Sequence, residues 1–160
     1  MITLEWVKET DKLIQLAEKA QLKTINGDVL IAKQLPAQKT KGGIIIPEKA
    51  VEHKIDGYMD GFGRIIQLPS SGFASTQGVI ECPKQLRVGD FIIFNHASRY
   101  KPQPRALNVM FDTKVEEERK VTDHNDEFHD RGQLFFIPFP DIKMVKPLSR
   151  VLEILNASSS

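Results

Sequence analysis

The strongest constraint on this chain is a series of apolar runs too short to be helices. Val29-Leu30-Ile31-Ala32, Phe91-Ile92-Ile93-Phe94, Leu134-Phe135-Phe136-Ile137 and the run Ile142 to Val145 each span four residues, and a further region gathers Tyr58, Met59, Phe62, Ile65 and Ile66. Turn formers stand beside them, as in Asn26-Gly27 and Val88-Gly89-Asp90. Short apolar runs bounded in this way read as buried strands. Gly57, Gly61 and Gly63 predict a bend or bulge in the second region. A turn-rich stretch from Leu68 to Ser75 precedes Gly78-Val79-Ile80-Glu81-Cys82, which reads as the return strand of a hairpin. Many short strands joined by Gly and Pro turns predict an all-β barrel or sandwich.

The two ends follow a different period. Over residues 3–23, Trp6, Leu13, Leu16, Ala17 and Ala20 share one face, with Val7 and Ile14 at its edge, which predicts an amphipathic helix. Glu5 in its first turn and Lys19 and Lys23 in its last suit the helix dipole. Leu148, Val151, Leu152 and Leu155 predict a short terminal helix over residues 148–156. The segment from His96 to Gly132 reads as a solvated arm, with some β-structure around Leu107 to Phe111.

One run fits neither pattern. Thr40-Lys41-Gly42-Gly43-Ile44-Ile45-Ile46-Pro47 places three Ile between polar flanks that offer little to bury. It reads as a flexible tether that carries a sticky tripeptide to another protein's groove. Gly42 and Gly43 let the backbone reshape without a Cβ clash, and Pro47 discourages strand pairing with other chains. The bland alternative is an ordinary core strand.

Charge and cysteine exclude several functions. With 22 Lys and Arg against 21 Asp and Glu, the formal net charge is +1, which gives no argument for nucleic acid or an anionic membrane as partner. Cys82 is the only cysteine, so neither an intramolecular disulfide nor a cysteine-rich zinc site is available, and Cys82 reads as a minor packing residue. The acidic N-terminus, with Glu5, Glu9 and Asp11, does not read as a signal peptide. No stretch approaches the ~20 apolar residues of a membrane span. A cytoplasmic setting is the expectation. His124 and His129 among Asp123, Asp126, Glu127 and Asp130 match no strong ligand spacing, and neither a phosphate loop nor a catalytic Cys–His pair is readable. No enzyme, metal or cofactor is expected.

Four pieces, in order, resemble the chaperonin-10 (GroES-type) co-chaperonin family. They are Gly27-Asp28-Val29-Leu30-Ile31-Ala32-Lys33, the Thr40–Pro47 run, Val88-Gly89-Asp90-Phe91-Ile92-Ile93-Phe94, and Leu134 to Ile137 with Asp141-Ile142-Lys143-Met144-Val145. The resemblance implies a mainly β, GroES-like barrel over residues 25–147, preceded by a helical extension at 1–24 and followed by a tail at 148–160. Within it come a mobile loop at about 35–55, a roof hairpin at about 63–86 and the inserted arm at about 96–132.

The implied function is that of a lid. A co-chaperonin of this kind caps an ATP-driven chaperonin ring and encloses a non-native client protein. Gly42, Gly43, Ile44, Ile45, Ile46 and Pro47 would contact the apical domains of the GroEL-type ring. Val29, Ile31, Ile142 and Met144 would lie at subunit contacts of a seven-membered homo-oligomer. Phe62 and Phe73 are candidate cage-facing aromatics, set against barrel packing for the first and a loop anchor for the second. Asp60 stands where an aliphatic residue is usual, and the arm and both extensions are longer than the family pattern. Such departures suit a phage- or virus-encoded member. The competing reading is a structural or adaptor protein that keeps the barrel without binding a chaperonin.

Overall fold

The computed structural model describes residues 2–33, 61–95, 99–112 and 134–158. Seven strands and three α-helices lie within them. Helix α1 (Leu4–Lys19) starts where the Thr3 hydroxyl accepts a hydrogen bond from the Trp6 N–H at 3.1 Å. It carries Glu5 in its first turn and Lys19 in its last, as expected from the dipole. The chain then reaches β1 (Asp28–Ala32) through Asn26 and Gly27, both at positive φ. Gly27 is required twice over. Its φ is +74°, and a Cβ there would lie 2.7 Å from that of Phe73.

Strands β2 (Phe62–Gln67), β5 (Phe91–Phe94), β6 (Leu134–Pro138) and β7 (Ile142–Lys146) join β1 in one antiparallel sheet of order β6-β1-β2-β5-β7. Strands β3 (Phe73–Ser75) and β4 (Gly78–Ile80) form a separate two-stranded hairpin. Phe73, from the turn-rich stretch, is thus in the first strand of the hairpin, and its ring meets Phe139 edge-on at 6.1 Å.

Both faces of the large sheet are covered at β1 and β2, which is why these strands are buried without alternation. One face builds a cluster of Val29, Ile31, Ile65, Ile92, Phe94 and Ile137, with Phe73 and Cys82 packed against it. The other gathers Leu30, Ala32, Ile66, Phe91 and Leu134 beneath the helices. Helix α1 contributes Trp6, Val7 and Ala17 to that second cluster, and helix α3 (Leu148–Ser158) contributes Val151. Leu148, Leu152 and Leu155 pack around it, so the terminal apolar spacing has its expected use. Asp90 fixes the start of α3, its carboxylate accepting from the Leu148 N–H at 3.0 Å.

The expectation of β-structure around Leu107 to Phe111 is corrected. Pro104–Met110 is helix α2, with Pro at its first turn. Strand periodicity would place residues 107, 109 and 111 on one face. Instead Leu107 and Phe111 are buried at helical spacing and Val109 is exposed. Residues 99–112 of the expected arm therefore pack on the barrel, and Tyr100 exchanges two backbone hydrogen bonds with Phe136, at 2.9 and 2.7 Å. Among the described residues, no helix is long and apolar enough to cross a membrane.

Candidate binding surfaces

The expected chaperonin-binding residues, Gly42 to Pro47, lie outside the described residues, as do Gly57, Tyr58 and Met59 of the second strand region and the His124–His129 run. The two strand ends that flank residues 34–60 are described in full. Ala32 near the end of β1 is the register partner of Arg64 in β2. The Lys33 side chain is wholly enclosed, its Nζ 5.9 Å from the centre of the Phe135 ring. Gly61 closes the other end, its carbonyl accepting from the Phe94 N–H at 2.8 Å.

Of the four residues expected at subunit contacts, the structure groups two with the core and leaves one outside. Val29 and Ile31 are 0% exposed, and β1 is paired on both sides, by β2 and β6. Neither their side chains nor their strand edge is offered to a neighbour, which corrects their expected place at a contact. Ile142 packs partly against the inner cluster. Met144 is 64% exposed and sits opposite Ile93, itself exposed, at the outer strand of the sheet. The aromatics proposed to face a cage are packing residues. Phe62 stacks on Phe91 at 5.8 Å, and Phe73 holds Phe139.

The sequence reading missed a buried and heavily bonded side chain, Arg64. Arg64 is 1% exposed. Its Nε donates to the Gly89 carbonyl at 2.8 Å, and its Nη1 to the Val7 carbonyl at 2.9 Å and the Thr10 hydroxyl at 2.7 Å. Asp11 lies 2.6 Å from the same nitrogen, and the guanidinium covers the Phe91 ring at 5.6 Å. Thr10 in turn donates to the Trp6 and Val7 carbonyls. One weak signal was legible: Thr10 and Asp11 are polar where α1 otherwise turns apolar residues inward.

An open groove of about 430 Å³ lies along the outer edge of β6, lined by Lys23, Ile25, Asp28, Tyr100, Phe136 and Pro138. Burial pushes the Asp28 carboxyl above its ordinary value of 3.8. Burial also pushes the Cys82 thiol up, which disfavours the thiolate and fits a packing role. Among the described residues, no group of three His, Cys, Asp or Glu side chains converges to hold a metal ion.

No curated protein matches the chain. The family model for the chaperonin 10 Kd subunit matches residues 21–121, well over half of the 160 residues. The match begins just after α1 and runs through β1, β2, β5 and α2. It also spans the Thr40–Pro47 run. The mainly β architecture, an antiparallel sheet packed over an apolar cluster, agrees with the GroES-like barrel of that family. Co-chaperonin function, partnership with a chaperonin and assembly into an oligomer follow in general terms, and the family is not one of enzymes. The chain belongs to the chaperonin-10 family of co-chaperonin subunits.

Proposed function

We propose that this protein is the lid of a GroEL-type chaperonin cage in the cytoplasm. Ile44, Ile45 and Ile46 enter an apolar groove on the apical domains of the ring, and the assembled subunits enclose a non-native client protein. The family match across residues 21–121 carries this reading, because it spans a Gly-Gly-Ile-Ile-Ile-Pro run placed between two firmly held strand ends. Gly42 and Gly43 supply backbone freedom on one side of the triplet, and Pro47 limits strand pairing on the other.

The energetics fit a reversible cap. Burying one Ile side chain stabilises by about 1.5–3 kcal/mol. Ordering the chain opposes this by about 1–2 kcal/mol per residue. The net per subunit is small, and a ring that presents several copies turns it into tight binding by effective concentration. A seven-membered ring is the form the family resemblance implies. Met144 and Ile142 on β7 are the subunit contacts this reading retains.

Binding to a cognate chaperonin ring, with and without ATP, tests the proposal on wild type and Ile45→Asp. The wild type binds in the presence of nucleotide, and the variant loses most of that affinity. Equal binding by both proteins, or binding by neither, defeats it.

A further inference from the structure

We propose that Gly89-Asp90-Phe91 fastens α1 and α3 into one cooperative unit, which opens and closes as a whole and steadies the end of β7. Both helices lie outside residues 21–121, the span of the family match, whereas the three fastening residues lie inside it. The consequence for β7 rests on the function proposed above, in which that strand carries a subunit contact.

Each of the three residues holds a different partner. The Gly89 carbonyl accepts from Arg64 Nε at 2.8 Å, and Arg64 carries that hold to α1 through the Val7 carbonyl, the Thr10 hydroxyl and the Asp11 carboxylate. The Asp90 carboxylate accepts from the Leu148 N–H, the first residue of α3. The Phe91 ring lies 6.0 Å from that of Trp6 in α1, and Phe91 is the register partner of Lys146, the last residue of β7. Only Pro147 separates β7 from α3.

The turn that carries these residues is itself gripped by β2. The Gly89 N–H donates to the Ile65 carbonyl at 2.8 Å, and the Ile65 N–H donates to the Asp90 carbonyl at 2.9 Å. Gly89 has a φ of +95°, and a Cβ built there would lie 3.4 Å from Arg64 Nη2, 3.9 Å from Leu148 Cδ2 and 4.0 Å from Ile14 Cδ1. The guanidinium and a side chain from each helix therefore meet over this one residue.

This arrangement makes partial release costly. A guanidinium as enclosed as that of Arg64 is tolerable only while its acceptors stay in place. If α1 lifts away, three of the four acceptors leave, and the charge turns to water and drops its hold on Gly89. Ile14 leaves the side of Leu148 in the same step. If α3 lifts away, the Asp90 carboxylate, only 8% exposed, loses the Leu148 N–H, and Ile14 loses its cover. Each helix thus removes support from the other.

Hydrogen exchange on the full-length protein reads this directly. Asp90→Ala cuts the tie to α3, and Asp11→Asn, at a half-exposed position where folding is not at risk, weakens the tie to α1. Each variant should speed the amides of Lys8–Leu16 and of Leu152–Asn156 together and by the same factor, about threefold or more, while Leu134–Ile137 in β6 stays protected. Asp90→Asn, which keeps an acceptor oxygen for the Leu148 N–H, should restore most of the wild-type protection in both helices. Faster exchange confined in each variant to the helix whose own tie was cut overturns the cooperative unit. For β7, the mass of Asp11→Asn in solution should shift toward the monomer at concentrations where the wild type is assembled. Wild-type assembly in Asp11→Asn, with both helices loosened, overturns the link to β7. If Met144→Lys also assembles as wild type, the subunit contact at β7 is what has failed, and the exchange result alone judges the unit.

Discussion

Buried cations in this barrel are held in ways that depend on residues far away in sequence. Arg64 meets Val7, Thr10 and Asp11, which lie more than fifty positions upstream. A strand that reads Phe-Gly-Arg-Ile-Ile gives no local sign that its Arg points inward, because the acceptors sit on a helix with its own periodicity. Asp28 shows the opposite case of a partly buried charge that pH can reveal. Its carboxyl titrates above 3.8 in the folded chain because burial disfavours the anion. A raised carboxyl favours the folded state fully below the unfolded value, and that advantage is lost as pH rises through the folded value. Near neutral pH the anion is therefore a liability. Asp28→Asn should raise the melting temperature at pH 7, and the gain should shrink as pH falls toward 3.8. A gain that is constant with pH, or absent at pH 7, contradicts this assignment.

Strands were the most legible elements, because turn formers bound each apolar run. Phe91–Phe94, Leu134–Pro138 and Ile142–Lys146 lie where the runs place them. The reading was least secure where one pattern admits two periods. Leu107 and Phe111 are four apart and also an even number apart, and only the exposure of Val109 separates helix from strand. The same ambiguity hid α2, one of the three helices over the sheet. Strands buried on both faces, such as Val29-Leu30-Ile31-Ala32, announce that something covers them without naming it. The candidate contact at β1 failed for this reason: a strand in the middle of a sheet has no free edge. Strand β7 does, and its side chains from Lys143 to Lys146 are exposed. Met144→Lys should therefore leave the far-UV circular dichroism of the chain unchanged while shifting its mass in solution toward the monomer. An unchanged oligomer mass at micromolar concentration removes β7 from the subunit contact.

For the molecule as a whole, affinity for a chaperonin depends on how many copies act together. Linked weak contacts exceed a single one by about 10²–10⁴ in affinity when geometry lets them engage at once. A subunit made monomeric by Met144→Lys should thus bind the chaperonin weaker by a factor of that order, though Ile44–Ile46 are untouched. Equal affinity for monomer and assembly refutes multivalent capping.

The two margins of the large sheet are unequal, and this limits how copies can join. Tyr100 already occupies the middle of β6, and Pro138 has no amide hydrogen to give. At the opposite margin, β7 has no strand on its outer side among the described residues. Two copies meeting β7 to β7 would satisfy each other and stop at a pair, as an isologous contact must. A larger closed assembly needs head-to-tail docking, with β7 of each copy seated on a different patch of the next and the same turn repeated until the circle closes. The number of subunits is then set by the tilt of that receiving patch, whereas β7 decides only whether a circle forms at all.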